Sequence, residues 1–96
     1  MSTFISLINF TDQGIRNIKD SPERFATFKA SVEKLGVSVK AGYYTVGQYD
    51  MVVIVEGSDE AATAAMLKVA SAGNVRSQTL RGFSVDDMKK IIGSIS

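Results

Sequence analysis

Five consecutive apolar residues, Met51-Val52-Val53-Ile54-Val55, follow Gly47-Gln48-Tyr49-Asp50 and end at Glu56. Val, Ile and Met at this density suit an extended strand. Side chains alternate across a strand, so both faces of this one are apolar. A strand of that kind has to be covered on both sides. This requirement limits the architecture more than any other feature of the chain.

The chain has 96 residues, enough for a single domain over 1–96. A domain this short buries a modest fraction of its surface and is marginally stable alone. The formal net charge is +1 and the charges are interspersed, which argues against nucleic-acid or membrane partners. Arg76 and Arg81 do not make a basic patch. The absence of cysteine removes disulfides, thiolate metal sites and a thiol nucleophile. The absence of histidine removes the commonest general base and the usual zinc and haem ligand. No metal constellation and no phosphate-binding glycine fingerprint is present, so no metal or cofactor is expected. The N-terminus does not read as a signal peptide and no apolar run could span a bilayer, which makes the cytoplasm the expected compartment.

Along the chain, Thr3–Phe10 reads as a first strand. Thr11 is placed to cap a short helical turn running to Ile18, weakened by Gly14. Ser21-Pro22-Glu23 reads as a helix start, with serine as cap and proline in the first turn. Phe25, Phe28, Val32 and Leu35 recur at helical spacing as its apolar stripe, and Gly36 ends it. Val37–Val46 and Tyr49–Glu56 read as two strands of a hairpin turned at Gly47-Gln48. Ser58 caps the next helix, whose stripe is Ala62, Ala65, Met66, Val69 and Ala72, ending at Gly73. Val75–Phe83 is a fourth strand. Ser84 caps a last helix with Met88, Ile91 and Ile92 on its apolar face, and Gly93–Ser96 is a frayed tail.

This order, β-α-β-β-α-β with a terminal helix, predicts an α+β, ferredoxin-like domain. Its sheet is expected to be antiparallel, in the order 4-1-3-2, with both main helices on one face. The other face then carries the second apolar side of strand three. Exposed patches of that kind are uncommon on monomers. The expectation is a homo-oligomer, a dimer or an assembly of dimers, joined sheet to sheet.

The run Gly47 to Glu56 resembles the element that names the GYD domain. Thr11–Arg16, Ser21–Arg24 and Gly73–Arg81 followed by Phe83 resemble other parts of the same small, largely bacterial family. A serine at position 58 after Gly57, where proline often precedes the aspartate, and Gly82, where alanine is common, are minor departures. The resemblance implies a ferredoxin-like protomer of the dimeric α+β-barrel type. It carries no catalytic residue to transfer.

Candidate site residues follow from the polar groups near the apolar strand. Asp50 sits at the rim of an apolar layer, either as a general acid or base or as an acceptor that fixes the hairpin. Tyr49 and Tyr44 offer hydroxyls on apolar bodies, with interface packing as the alternative. Tyr43 and Tyr44 point to opposite faces. Arg81 is a candidate for carboxylate or phosphate binding, or for a salt bridge, and Thr79 shares its face. Glu56 lies about 20 Å from Asp50 along the strand, at about 3.3 Å per residue, so the two are not a carboxylate pair. The function expected first is binding of a small molecule or a protein partner by a homo-oligomer. The alternative is a cofactor-independent enzyme, monooxygenase- or isomerase-like, with Asp50 as acid or base. Scaffolding ranks third.

Overall fold

The computed structural model describes residues 1–95. The elements in chain order are β1 (Ser2–Phe10), α1 (Asp12–Arg16), a 3-10 turn (Ile18–Asp20), α2 (Ser21–Glu33), β2 (Ser38–Tyr44), β3 (Met51–Gly57), α3 (Asp59–Ser71), β4 (Val75–Gly82) and α4 (Val85–Gly93). All neighbouring strands pair antiparallel, in the order β2-β3-β1-β4. Read from the other edge, this is the 4-1-3-2 order that the pattern predicts. The architecture is α+β and ferredoxin-like.

The register assigns each side chain to a face. Phe4, Ser6 and Ile8 of β1 lie opposite Val55, Val53 and Met51 of β3. These residues face α2 and α3 and, with Val32, Val37 and Ala65, build the core. Val32, Val55 and Ala65 are completely buried. The intervening positions, Ile5 and Leu7 opposite Ile54 and Val52, lie on the other face. Leu80 and Tyr43 join them there through their pairing with Ile5 and Val52. The helices leave this second face open.

The helix ends show which local signals are used. The hydroxyls of Thr11, Ser58 and Ser84 accept the amides of Gly14, Ala61 and Asp87 respectively, at 3.0–3.1 Å. Ser21 is not a cap. It is the first residue of α2, and its hydroxyl instead meets the Tyr44 hydroxyl at 2.8 Å. Asp20 takes the cap position with no side-chain bond. Gly36 and Gly73 have φ values of +89° and +84°, the left-handed conformation that ends a helix without a Cβ clash. Gly14 does more than weaken α1. A Cβ there would stand 1.9 Å from the Asn74 carbonyl oxygen, so only glycine lets α1 lie against the α3–β4 turn.

Three further expectations are corrected. Leu35 lies outside the α2 stripe and is exposed, because the helix ends at Glu33. The hairpin strands are shorter than expected, and β3 starts at Met51, so residues 45–50 form a longer connection. Thr45 closes it: its amide donates to the Asp50 carbonyl and its hydroxyl to the Tyr49 carbonyl. Gly93 is helical, and Ser94 caps α4. Ser96, the end of the expected tail, lies outside the described residues.

α4 continues from β4 through Phe83 and Ser84 and makes no extended contact with any other element. Val85, Met88, Ile91 and Ile92 are all exposed, Met88 and Ile91 by about two-fifths. It therefore does not fold back over the open sheet face. The projection fits the elongated shape of the chain, 51 × 31 × 17 Å. Among the described residues, no helix is long and apolar enough to cross a membrane.

Candidate functional site

α2 and α3 lie on the same face of the sheet without extended contact between them. Their stripes differ in size. α2 contributes Phe25 and Phe28, with ring centroids 6.3 Å apart, whereas the buried positions of α3 are Ala62 and Ala65. The large rings fill one side, and Phe25 packs over Gly42 of β2, where a Cβ would come within 2.6 Å of the ring. On the other side a cleft of about 470 Å³ remains between the helices.

The floor of this cleft is Ile8, Phe10, Met51, Val53 and Val75 from the sheet. Phe25 and Phe28 form one wall, and Met66, Val69 and Ala72 the other. Polar groups gather where α2 begins and α3 ends: Asp20, Ser21, Glu23 and Arg24 on one side, Lys68 and Asn74 on the other. Asp20 and Glu23 are exposed, and Arg24 is half-buried.

Arg24 is the unusual member. Its Nη1 donates to the Asn17 carbonyl at 2.8 Å. Its Nη2 is buried and has no hydrogen-bond partner, the one such side-chain atom among the described residues. A buried donor left unpaired costs about 1–3 kcal/mol, and more when it is charged.

The residues singled out from the sequence occupy three separate places, and none of the five lines the cleft. Asp50 lies in the connection before β3. Its Oδ2 accepts the Phe10 amide at 2.9 Å, while its own amide donates to the Ile8 carbonyl at 2.8 Å. The carboxylate thus takes the place of a strand carbonyl where the β1–β3 ladder runs out. Tyr49 donates its hydroxyl to Gln78 Oε1 at 3.2 Å. Gln78 pairs with Leu7, which puts that contact on the open face. Tyr44 lies on the helix side of β2 and reaches the cleft rim through Ser21.

Thr79 and Arg81 are on the helix side of β4, away from the polar end of the cleft. Thr79 shares a 2.9 Å hydrogen bond with Ser6, whose hydroxyl also lies 3.2 Å from the Met66 sulfur. This satisfies a completely buried hydroxyl in the core. Arg81 stacks its guanidinium 4.3 Å from the centre of the Phe83 ring, with Phe4 at 5.7 Å. It also donates to the carbonyls of Thr3 and Gly82. Among the described residues of its own chain it has no carboxylate partner, and it is held by cation–π and backbone contacts.

Sequence reasoning passed over the cleft and Arg24. The only written signal was the size mismatch between a phenylalanine stripe and an alanine stripe on helices sharing one sheet face.

Comparison with known proteins agrees with the family resemblance of the sequence. The family model for the GYD domain matches residues 4–92. A protein of Thermus thermophilus, described as a glutamine synthetase and cystathionine beta-lyase binding protein, is 41% identical over 90 residues. The match covers 92% of this chain and 95% of that protein. No solved structure gives a significant match. The chain belongs to the GYD domain family.

Proposed function

We propose that this chain is a homo-oligomeric binding protein whose target is another protein. The observation that carries this reading is the apolar sheet face of Ile5, Leu7, Val52, Ile54 and Leu80, which no element of its own chain covers. A face of this kind is an association surface. A second copy paired across it about a two-fold axis would cover it with the same apolar patch. α4 adds a second uncovered surface, with Val85, Met88, Ile91 and Ile92 presented to solvent. A short amphipathic helix laid into a partner's groove is a common recognition mode.

The Thermus thermophilus relative supports a protein target, because it is described as binding two enzymes. On this reading the targets here are a glutamine synthetase, a cystathionine beta-lyase or both, met in the cytoplasm. A cofactor-independent reaction with Asp50 as acid or base finds less support, since that carboxylate holds the Phe10 amide and stands outside the cleft.

The test uses the full chain and the two purified enzymes from the same organism. Light scattering is expected to give a mass of at least two chains of 10.3 kDa each. Biolayer interferometry is expected to show saturable binding to at least one enzyme, lost on Ile91→Asp. A single-chain mass overturns the oligomer, and no binding to either enzyme overturns the choice of partner.

A further inference from the structure

The cleft between α2 and α3 plays no part in partner binding through the sheet face or α4. We propose that it is a binding site for a small monocarboxylate with an apolar body, and that Arg24 receives the carboxylate.

The volume, about 470 Å³, falls in the range of about 300–1,000 Å³ typical of small-molecule sites. The floor and walls are apolar, and two of the lining residues, Met51 and Met66, are methionines, whose flexible thioethers adapt to irregular ligands. An aliphatic or aryl group is therefore the part that enters. The polar end selects the headgroup. Arg24 is anchored by one nitrogen to Asn17 and holds the other without an acceptor. A guanidinium presents paired donors that match the two oxygens of a carboxylate. Nη2 is covered by neighbouring atoms in the free protein. On the proposed binding mode the Arg24 side chain rearranges to present its guanidinium to the ligand. Binding then supplies the acceptor that the fold withholds.

Charge at the rim narrows the class further. Asp20 and Glu23 are exposed beside Arg24 and oppose Lys68. The rim as a whole is close to neutral, which disfavours a doubly charged phosphate monoester relative to a single carboxylate.

Octanoate and 1-octanol serve as probes, titrated into the purified full chain and followed by methyl NMR and calorimetry. Octanoate is expected to saturate and to shift the methyl signals of Val53, Met66 and Val69 while those of Ile54 and Leu80 on the open face stay still. Arg24→Gln is expected to weaken octanoate about 10- to 100-fold, the range for one charge-assisted hydrogen bond, and to leave octanol unchanged. Thr27→Trp, at an exposed position on the cleft wall, is expected to abolish both. A thermal melt checks that each variant is folded, and Arg24→Lys, which keeps the charge and loses the fork, is expected to fall between the wild type and Arg24→Gln. Shifts confined to the open face, equal octanoate affinity in Arg24→Gln, or no saturation at millimolar octanoate would each overturn the proposal. None of these outcomes bears on binding of the enzymes.

Discussion

The Asp50 carboxylate accepts the backbone amide of Phe10 at 2.9 Å, one step beyond the point where the Asp50 amide donates to Ile8. One residue thus extends the β1–β3 ladder with its side chain. Asp50→Asn keeps an acceptor oxygen and is expected to cost well under about 1 kcal/mol beyond the loss of charge assistance. Asp50→Ala leaves the Phe10 amide without a partner and is expected to cost about 1–3 kcal/mol. Urea unfolding of the two variants measures the difference. Equal losses would show that the hydrogen bond is not what Asp50 contributes.

Gly14 gives a prediction whose sign runs against helix propensity. Alanine is better than glycine inside a helix by about 0.8–1.0 kcal/mol, so Gly14→Ala should stabilise α1 if propensity ruled. The new Cβ would meet the Asn74 carbonyl oxygen at 1.9 Å, and that oxygen also accepts the Thr11 amide. Relieving the clash means pulling α1 off the α3–β4 turn. A net loss of about 1–3 kcal/mol is expected, the cost of forcing bulk into packed structure. Thermal unfolding decides, because propensity and packing predict opposite shifts in Tm.

The backbone plan was legible because its signals are local. Ser58 and Ser84 cap, Gly36 and Gly73 stop helices, and alternation along Met51–Val55 fixes which side chains share a face. The site was not, because its determinants are tertiary. Ser21 reads as a cap in sequence, but the 3-10 turn before it carries the chain straight into α2, and Asp20 takes the cap position. The hydroxyl is then free to bind Tyr44 of a strand 23 residues away. Arg24 looks like an ordinary solvated residue of a helix start. Only the tertiary structure shows its Nη2 buried and unpaired, with Nη1 on the Asn17 carbonyl. Gln78, Thr79 and Arg81 are close together on β4, yet alternation puts Gln78 on the open face with the Tyr49 hydroxyl and Thr79 and Arg81 on the helix side.

Ser58 and Ser21 make a matched pair for testing that distinction. Ser58→Ala removes a cap whose hydroxyl accepts the Ala61 amide, and is expected to cost about 1 kcal/mol. Ser21→Ala removes no cap. Its effect should therefore depend on Tyr44. A double-mutant cycle with Tyr44→Phe is expected to show coupling of about 0.5–1.5 kcal/mol for Ser21, the net worth of one hydrogen bond, and none for Ser58. Coupling of Tyr44 to Ser58 would mean that the cycle reports something other than the 2.8 Å contact.

The open sheet face supplies the last test. Ile54 lies at its centre, paired with Ile5 on one side and Ala41 on the other. Its side chain points away from α2 and α3, so a lysine there leaves the core intact. Lysine can lie along the apolar surface and carry its ammonium to solvent in a monomer. Between two packed sheets the same charge would be stripped of water with no carboxylate within the face to meet it, save Glu56 at the sheet end. On the proposed sheet-to-sheet association, Ile54→Lys is therefore expected to yield single folded chains, with little change in far-UV circular dichroism, while Val32→Ala, in the helix-side core, is expected to cost about 2 kcal/mol of stability with no change in subunit number. Light scattering at micromolar concentration separates the two effects. If Ile54→Lys keeps the wild-type mass, association uses another surface, and the exposed stripe of α4 becomes the place to mutate next.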